Sequence, residues 1–324
     1  MILITGGSGF IGRYLIKKLE VSYKIKIYDI NKPAFETSAE FKQGDVTDSN
    51  LINEAARGCD TIIHLAAIHH DNILNEEEFY RVNVGAANNI IEAASIHNIK
   101  NIIFYSTVAV YGDTFSNVAE NTQLNPTSPY GRSKLEAENI FIKWTKCRTD
   151  RKLYIIRPAV VIGPYNYANM FKLIEQIDKG LYLHIGSGKN IKSIAYVENV
   201  VDATIFILEN IDEQINIFNY ADEPQLTSRQ IANIIKDILT KKKTLKIPYF
   251  VAFTAGFCFD VLSILLRKDL AISSKRIRKF CSETFVSADK IRQCGFKPVH
   301  TSIDGISKMA EWYKRFKHKG VPPL

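Results

Sequence analysis

The stretch Thr5-Gly-Gly-Ser-Gly-Phe-Ile-Gly12 decides the fold of this chain, because it follows the apolar residues 1–4 and leads into an amphipathic helical pattern. Gly6, Gly9 and Gly12 have the spacing of a dinucleotide-binding turn between a strand and a helix. In such a turn the first glycine permits the bend, the second admits a pyrophosphate, and the third lets the helix pack on the strand. The segment predicts a phosphate-binding loop at a helix N-terminus.

The second strand pattern, residues 24–28, ends at Asp29. A carboxylate at this place after the glycine loop hydrogen-bonds the ribose 2′-hydroxyl and repels a 2′-phosphate. We therefore expect NAD rather than NADP as the cofactor.

Apolar strand patterns and helical patterns alternate through the first half of the chain. Strands are predicted at residues 59–65, 101–106 and 153–157, and helices at residues 76–97 and 128–147. This alternation predicts an α/β fold with a doubly wound parallel sheet of the Rossmann type.

Beyond Gly163-Pro164 helical patterns dominate, at residues 167–179, 198–209, 228–240, 248–267 and 303–316. A smaller, mostly helical C-terminal lobe over the carboxyl edge of the sheet would hold the substrate between the two parts. We expect residues 1–165, with 190–220 returning, to form the NAD-binding domain, and residues 166–189 and 221–324 to form the substrate-binding lobe.

Composition narrows the class of protein. The chain has 324 residues, 46% of them hydrophobic, and a formal net charge of +8. Its basic residues are dispersed and match no nucleic-acid module, so we expect no nucleic acid and read the charge as suited to a sugar-diphosphate substrate or an anionic membrane. The five cysteines lack metal-binding spacing, so no metal is expected. A strand that starts at Met1 leaves no room for a signal peptide, which favours a cytoplasmic protein. A homodimer is kept as a candidate assembly.

The predicted catalytic chemistry lies between Ser106 and Lys134. Tyr130 and Lys134 are four residues apart and share a face of a predicted helix. An ammonium beside a phenol favours the phenolate, so we expect Lys134 to lower the pKa of Tyr130. Other Tyr–Lys pairs with this spacing occur in the chain, but this one follows a strand that ends in the hydroxyl residues Ser106 and Thr107.

These motifs together resemble the extended short-chain dehydrogenase/reductases. The glycine loop, Asp45-Val46, His64-Leu-Ala-Ala67, Asn83, Ser106-Thr-Val-Ala-Val-Tyr-Gly112, Tyr130-Gly-Arg-Ser-Lys134 and Arg157-Pro158 are similar to that family's motifs. The resemblance implies that the cofactor contacts are Gly6, Gly9, Phe10, Ile11, Gly12, Asp29, Asp45, Val46, Leu65, Ala66, Ala67, Asn83, Tyr130, Lys134 and Pro158.

The resemblance also implies catalysis by Thr107, Tyr130 and Lys134. Tyr130 would take the proton of a sugar hydroxyl, Thr107 would hydrogen-bond the same oxygen, and Lys134 would hold the cofactor ribose. The implied substrate contacts are His69, Ser106, Thr107, Lys192 and Tyr196. The 4,6-dehydratases of this family carry Asp-Glu where this chain has Val108-Ala109. Dehydration is therefore not expected, and oxidation and reduction at a ring carbon remain.

The second half of the chain resembles bacterial enzymes that epimerise N-acetylglucosamine at C4 on diphospho-undecaprenol. The similar segments include Lys192-Ser-Ile-Ala-Tyr-Val-Glu-Asn199 and Gly256-Phe-Cys-Phe-Asp260. We expect a lipid-linked N-acetylhexosamine 4-epimerase of surface polysaccharide biosynthesis. One alternative is a soluble nucleotide-sugar 4-epimerase or 4-ketoreductase. Another is a non-catalytic NAD-binding regulator.

Residues 247–266 are long and apolar enough to suggest a membrane span, but their periodicity favours a helix that lies in the membrane interface. One face would carry Phe250, Phe253, Phe257, Val261 and Leu265, and the other Ala252, Gly256, Asp260, Ser263 and Arg267. Basic residues flank both ends, at Lys241 to Lys243, Lys246, Arg267 and Lys268. A buried helix of the substrate lobe is the alternative. We therefore expect peripheral contact with the cytoplasmic membrane face.

Overall fold

A parallel sheet of seven strands forms the centre of the protein. The structure is a computed structural model that describes residues 1–69, 75–113, 115–241, 245–266 and 273–317. Its strands are β1 (Ile2–Thr5), β2 (Ile25–Asp29), β3 (Glu40–Gln43), β4 (Thr61–His64), β5 (Asn101–Tyr105), β6 (Phe115–Val118), β7 (Lys152–Pro158), β8 (Val160–Ile162), β9 (Leu183–Ile185), β10 (Ile194–Tyr196), β11 (Ile215–Tyr220), β12 (Leu245–Ile247) and β13 (Thr284–Val286).

The strand order of the large sheet is β11-β7-β5-β4-β1-β2-β3, and all of its pairs are parallel. Strands β1, β4 and β5 lie side by side, with Thr5 opposite His64 and His64 opposite Phe104. The order reverses between β1 and β4, and ligands of open α/β sheets bind at such a point, outside the carboxyl ends of the strands. The predicted doubly wound α/β fold is confirmed.

Helices cover both faces of this sheet and make up most of the C-terminal region. They are α1 (Phe10–Leu19), α2 (Ser49–Ala56), α3 (Glu77–Phe79), α4 (Gly85–Ile96), α5 (Pro129–Lys146), α6 (Asn169–Asp178), α7 (Val197–Asn210), α8 (Ser228–Leu239), α9 (Tyr249–Leu266), α10 (Ser274–Cys281), α11 (Asp289–Gln293) and α12 (Ser302–Lys317). A π-helical segment, Tyr80–Val84, joins α3 to α4, and a 3₁₀ helix, Val108–Tyr111, follows β5.

Three elements of the sheet region escaped the sequence patterns: strands β3 and β11 and helix α2. Strand β3 has no buried residue, so no apolar alternation marks it. Helix α2 has only eight residues, and its start is fixed by the Asp48 carboxylate, which accepts hydrogen bonds from the amides of Asn50 and Leu51 at 3.0 Å each. Strand β3 and helix α2 are both too short for a periodicity argument.

The apolar core has a layer on each face of the sheet. One layer packs α1 and α7 against the sheet through residues such as Leu15 and Val200, and the other packs α2, α4 and α5 through residues such as Ile52 and Phe141. A third cluster in the C-terminal region joins α6, α8 and α12. The domain boundaries given above stay a prediction. None of the helices in the described ranges combines the length and apolar character that a bilayer crossing requires.

Candidate active site

The backbone of the glycine loop packs directly against neighbouring backbone, with no room for side chains at Gly6 and Gly12. A Cβ at Gly6 would lie 2.5 Å from the Ala66 nitrogen, and a Cβ at Gly12 would lie 2.3 Å from the Gly7 oxygen. Gly6 also has a φ of +72°, which side chains rarely adopt. Gly9 caps α1 without a side-chain hydrogen bond, which leaves the first amides of the helix available to a phosphate. The cradle therefore fits a dinucleotide.

Asp29 lies at the end of β2, beside the glycine loop. Its carboxylate accepts hydrogen bonds from the amides of Ser8 and Asn31, each at 3.0 Å. The first of these bonds holds the carboxylate against the loop, and its remaining acceptor positions suit a ribose diol.

The other predicted cofactor contacts lie along the same sheet edge. The amides of Leu65 and Ala66 both donate to the Thr5 carbonyl, at 2.9 and 3.1 Å, which places the loop after β4 against β1. Val46 is buried and Asp45 is exposed. The remaining predicted cofactor contacts lie at the start of α1 (Phe10 and Ile11), in the loop after β4 (Ala67) and at the end of β7 (Pro158).

Asn83, in the π-helical segment, links this loop to α5. Its side-chain oxygen accepts from the Ile68 amide at 2.9 Å, and its amide group donates to the Ile68 carbonyl at 3.1 Å and to Ser133 at 2.9 Å. Ser133 in turn donates to the Tyr130 carbonyl at 2.9 Å. Asn83 therefore acts on the position of α5 through Ser133.

Thr107 and Tyr130 are brought together by two helix starts. Thr107 caps the 3₁₀ helix and accepts from the Ala109 amide at 3.1 Å, while Ser128 caps α5 and accepts from the Gly131 amide at 3.1 Å. A Cβ at Gly131 would lie 2.6 Å from the Ala109 oxygen, so the absence of a side chain lets the two starts touch. The Thr107 hydroxyl therefore faces the Tyr130 phenol, closely enough to lower the pKa of that phenol.

The pKa of Tyr130 differs from the expectation. Burial raises it to about 12, and the hydrogen bond with Thr107 lowers it only in part. The expected depression by Lys134 is wrong for this structure, because desolvation of the phenolate dominates.

Lys134 is buried, with 2% of its surface exposed. Its Nζ lies 4.1 Å from the centroid of the Phe104 ring and donates no hydrogen bond to another described residue. Burial lowers the pKa of Lys134 to about 7, and the carboxylate of Glu138 opposes this change. A buried ammonium with free donors fits the ribose hydroxyls of a bound dinucleotide.

Behind the pair lies a buried ion pair that the sequence patterns did not identify. Glu138 Oε1 accepts from the Ser106 hydroxyl and from Arg157 Nε at 2.9 Å, and its Oε2 accepts from Arg157 Nη2 at 2.6 Å. Arg157 Nη1 donates to the Tyr111 hydroxyl at 2.9 Å. Glu138 stands one turn after Lys134, and this spacing was the one local signal for it.

Lys192 and Ser106, two of the predicted substrate contacts, bond to other parts of the protein. Ser106 donates to Glu138, behind the acid/base pair. The Lys192 ammonium donates to the Lys279 carbonyl at 2.9 Å and to the Ser282 hydroxyl at 3.4 Å, and burial lowers its pKa to about 8. The Ser282 hydroxyl lies 2.8 Å from the Lys279 carbonyl and 3.2 Å from the Asp113 carbonyl and can donate its one proton to either, so the end of α10 contacts the segment after the 3₁₀ helix.

The other two predicted contacts differ in exposure. Tyr196 is 1% exposed and its hydroxyl donates to Glu198 at 2.8 Å. His69 is exposed, near the end of the loop after β4. The substrate roles of His69, Ser106, Lys192 and Tyr196 stay predictions.

Comparison with known proteins adds to this geometry. The family model described as "NAD dependent epimerase/dehydratase family" matches residues 2–221. The N-acetyl-alpha-D-glucosaminyl-diphospho-ditrans,octacis-undecaprenol 4-epimerase of Escherichia coli O157:H7 is 36% identical over 314 residues, covering 96% of this chain and 94% of that protein. The UDP-glucose 4-epimerase of Vibrio cholerae is 26% identical over 326 residues, covering 96% and 94% of the two chains.

The fold is also similar to that of solved structures. The UDP-glucose 4-epimerase of Thermus thermophilus, solved in complex with NAD, superposes with a TM-score of 0.77 at 20% identity. The similarity covers 97% of this chain and 98% of that one.

We predict that Asp29 sets the preference for NAD over NADP. Asp29→Ala removes the carboxylate that would bind the ribose diol and repel a 2′-phosphate, so the ratio of the two affinities should narrow at least about tenfold. Calorimetric titration of the native protein and the variant with both cofactors measures it. Asp60→Ala, which changes an exposed carboxylate at the opposite edge of the sheet, is the control. A native protein that prefers NADP would contradict the assignment.

Proposed function

The chain belongs to the NAD dependent epimerase/dehydratase family and is an NAD-dependent sugar epimerase of the extended short-chain type. From this family membership we propose that its substrate is an N-acetylhexosamine on diphospho-undecaprenol. The reaction would invert C4 through a 4-keto intermediate and serve surface polysaccharide biosynthesis. The observation that carries the catalytic part is that the Thr107 hydroxyl faces the Tyr130 phenol, with the buried Lys134 one helical turn further along α5.

The residues of the site divide the proposed chemistry among them. Bound NAD supplies a hydride acceptor that also returns the hydride. Tyr130 takes the proton of the 4-hydroxyl during oxidation and gives it back during reduction. Thr107 accepts a hydrogen bond from the Ala109 amide, which orients its hydroxyl, and the hydroxyl proton that faces Tyr130 would turn to the same sugar oxygen when substrate binds. Lys134 places a positive charge beside the proton transfer.

The segment after Thr107 supports epimerisation over dehydration. Val108 and Ala109 form the first turn of the 3₁₀ helix and carry no acid or base. Elimination of water from a sugar needs such a pair near the reacting carbons. Redox chemistry at a single carbon needs only the groups present here.

Helix α9 supports the lipid-linked substrate, because one of its faces is apolar and open to water. Phe250 is 74% exposed and Phe257 is 60% exposed. We call the exposed residues Phe250, Val251, Phe257, Phe259 and Leu262 the α9 face; they are spread over about half of the circumference of the helix. Of the predicted apolar stripe, Phe253 is instead half-buried and stacks on Tyr249 with ring centroids 5.7 Å apart, and the side chains of Val261 and Leu265 lie outside the described residues.

The opposite side of α9 is covered by α10. A Cβ at Gly256 would lie 2.7 Å from Ile277 Cδ1, and the carboxylate of Asp260 accepts from the Ser274 amide at 3.2 Å. The small and polar side of α9 therefore packs on α10, and this packing turns the aromatic side outward. The buried-helix alternative does not account for that exposure.

Charge makes an anionic bilayer the partner that fits the α9 face. Helix α10 carries the exposed basic residues Lys275, Arg276, Arg278 and Lys279, and Lys246 is exposed just before α9. An apolar face with neighbouring basic residues is what holds a peripheral helix on anionic lipid. Of the flanking residues named above, Lys242, Lys243, Arg267 and Lys268 lie outside the described ranges.

The membrane face and the catalytic segment are linked by direct contacts. The Lys192 ammonium donates a hydrogen bond to the carbonyl of Lys279, near the end of α10. The Ser282 hydroxyl, just after α10, lies within hydrogen-bond distance of the carbonyl of Asp113, two residues after the 3₁₀ helix. A diphosphate headgroup that projects from the bilayer beside α10, with its polyprenyl chain still in the membrane, would therefore meet Lys192 on the way to Thr107. This proximity supports a substrate presented from the membrane surface.

A soluble nucleotide-sugar 4-epimerase is the second candidate, favoured by the similarity to the Vibrio cholerae enzyme. It would use the same Thr107, Tyr130 and Lys134, so the catalytic residues do not separate the two. A 4-ketoreductase would show net oxidation of NADH, whereas an epimerase returns its hydride in each turnover. A non-catalytic regulator is disfavoured by the complete set of three residues.

We predict that Tyr130→Phe lowers turnover by at least roughly a hundredfold, because it removes the proton acceptor and little volume. Thr107→Ala should lose less, since it orients the sugar oxygen without taking the proton. Rates of C4 inversion are measured beside NAD affinity, which both variants should retain. Equal losses in the two variants would contradict this division of roles.

We predict that the protein converts N-acetylglucosamine on diphospho-undecaprenol with a higher kcat/KM than the uridine diphosphate sugar. Both are assayed with one enzyme preparation, the lipid-linked form in anionic vesicles. The reverse order of kcat/KM would favour the soluble alternative.

We predict that Phe250→Glu abolishes sedimentation with anionic vesicles, because each buried phenylalanine contributes about 1.5–3 kcal/mol to such binding. Val299→Glu is the matched control, since Val299 is 75% exposed against 74% for Phe250 but lies away from α9. Circular dichroism checks that both variants fold. Native protein that stays in the supernatant would overturn the docking.

A further inference from the structure

Three charged side chains are buried together on the inner side of α5. Lys134, Glu138 and Arg157 are 2%, 1% and 2% exposed. Lys134 and Glu138 stand four residues apart on α5, so they are neighbours on one face of the helix. Arg157 reaches the same carboxylate from β7 with two hydrogen bonds, at 2.9 and 2.6 Å. The Glu138 carboxylate is thus bonded to Arg157, and Lys134 lies one turn before it on the same helix face, where the carboxylate raises the pKa of Lys134 against the effect of burial.

Within the described residues, few other charges face Lys134. On β5 its neighbour is the Phe104 ring. The π-helical segment contributes the uncharged Asn83, which bonds to Ser133, the residue before Lys134. On β4, His64 is buried with its Nδ1 2.6 Å from Thr5 Oγ1, and burial together with the charge of Lys134 holds its pKa well below the usual value. His64 is therefore neutral. Tyr130 is the remaining titratable group, on α5 itself.

We propose that Glu138 balances the charge of Arg157 so that Lys134 can remain an ammonium in the buried site, which makes Glu138 a positioning residue for the acid/base pair. With the carboxylate present, the cluster of Lys134, Glu138 and Arg157 carries one net positive charge. Without it, two cations would be buried near position 138 with no carboxylate between them. Arginine does not release its proton in proteins, whereas a buried lysine does. Lys134 would then become neutral.

The charge balance predicts opposite effects for the two partners. Glu138→Gln removes the only negative charge of the cluster, so the pKa of Lys134 should fall by at least about one pH unit, a tenfold fall in the ratio of charged to neutral lysine. Arg157→Met removes the competing cation and should raise the pKa of Lys134. The double variant Glu138→Gln/Arg157→Met leaves Lys134 as the one charge of the cluster and should return its pKa close to the native value.

The measurement is a ¹³C NMR titration of the lysine Cε atoms in the protein without added ligand, with the Lys134 resonance identified by its loss in Lys134→Gln. Tyr111→Phe is the control, since it removes a hydrogen bond to Arg157 and changes no charge at neutral pH. Its titration midpoint should equal that of the native protein. A buried ion pair can often be replaced as a pair without loss of stability, so the double variant is expected to fold.

A structural role alone predicts a different pattern. If the ion pair of Glu138 and Arg157 only held α5 against β7, both single variants would shift the pKa of Lys134 in the same direction. The double variant would then not return that pKa to the native value. Such a result, or an unchanged midpoint in Glu138→Gln, overturns the proposal. If Glu138→Gln does not fold, a midpoint in Arg157→Met that fails to rise overturns it as well.

The inference rests on the role proposed for Lys134 in catalysis, but its test does not. The titration reports the charge of Lys134 whether or not the protein converts a sugar. If the native protein has no epimerase activity but the variants show all the expected shifts in the pKa of Lys134, the proposed function is wrong and the charge balance is supported. If the protein is active but the pKa of Lys134 does not shift in the variants, the charge balance is wrong and the proposed function is unaffected.

Discussion

Backbone contact around the glycine loop is the constraint on which the candidate site depends. Gly12 lets α1 touch the chain at Gly7, and Gly6 lets the loop after β4 touch the end of β1. Both contacts exclude any side chain. Because of them, the N-terminus of α1 and the loop after β4 meet at one edge of the sheet. The acid/base pair on α5 is then positioned from this edge through Asn83.

Sequence spacing predicted the parts of the site that are local. The glycine loop lies within eight consecutive residues, and Tyr130 and Lys134 are one helical turn apart, so pattern and geometry coincide. The partners of these residues were not predictable in this way. Ser106 and Glu138 are 32 residues apart, and Lys192 and Lys279 are 87 apart. Their contacts depend on which strands and helices pack together, and no local spacing encodes that.

Helix α9 illustrates the same limit. Its periodicity divided it into an aromatic side and a small side, and Gly256 and Asp260 indeed share one side. The helix that covers the small side, α10, follows it in the chain, but the pattern of α9 did not indicate this packing. The pKa of Tyr130 was misjudged for a related reason. Spacing indicates a lysine one helical turn away, but it does not indicate that the phenol is buried, and burial is what raises its pKa.

The exposed aromatic face of α9 affects which concentration determines the rate of such an enzyme. A polyprenyl diphosphate does not leave the bilayer, so its effective concentration is a number of molecules per area of membrane. For a protein docked as proposed, diluting the lipid-linked sugar with inert phospholipid slows turnover even when the amounts of enzyme and sugar stay fixed. Catalytic efficiency then depends on the composition of the membrane, and the search for substrate takes place in two dimensions.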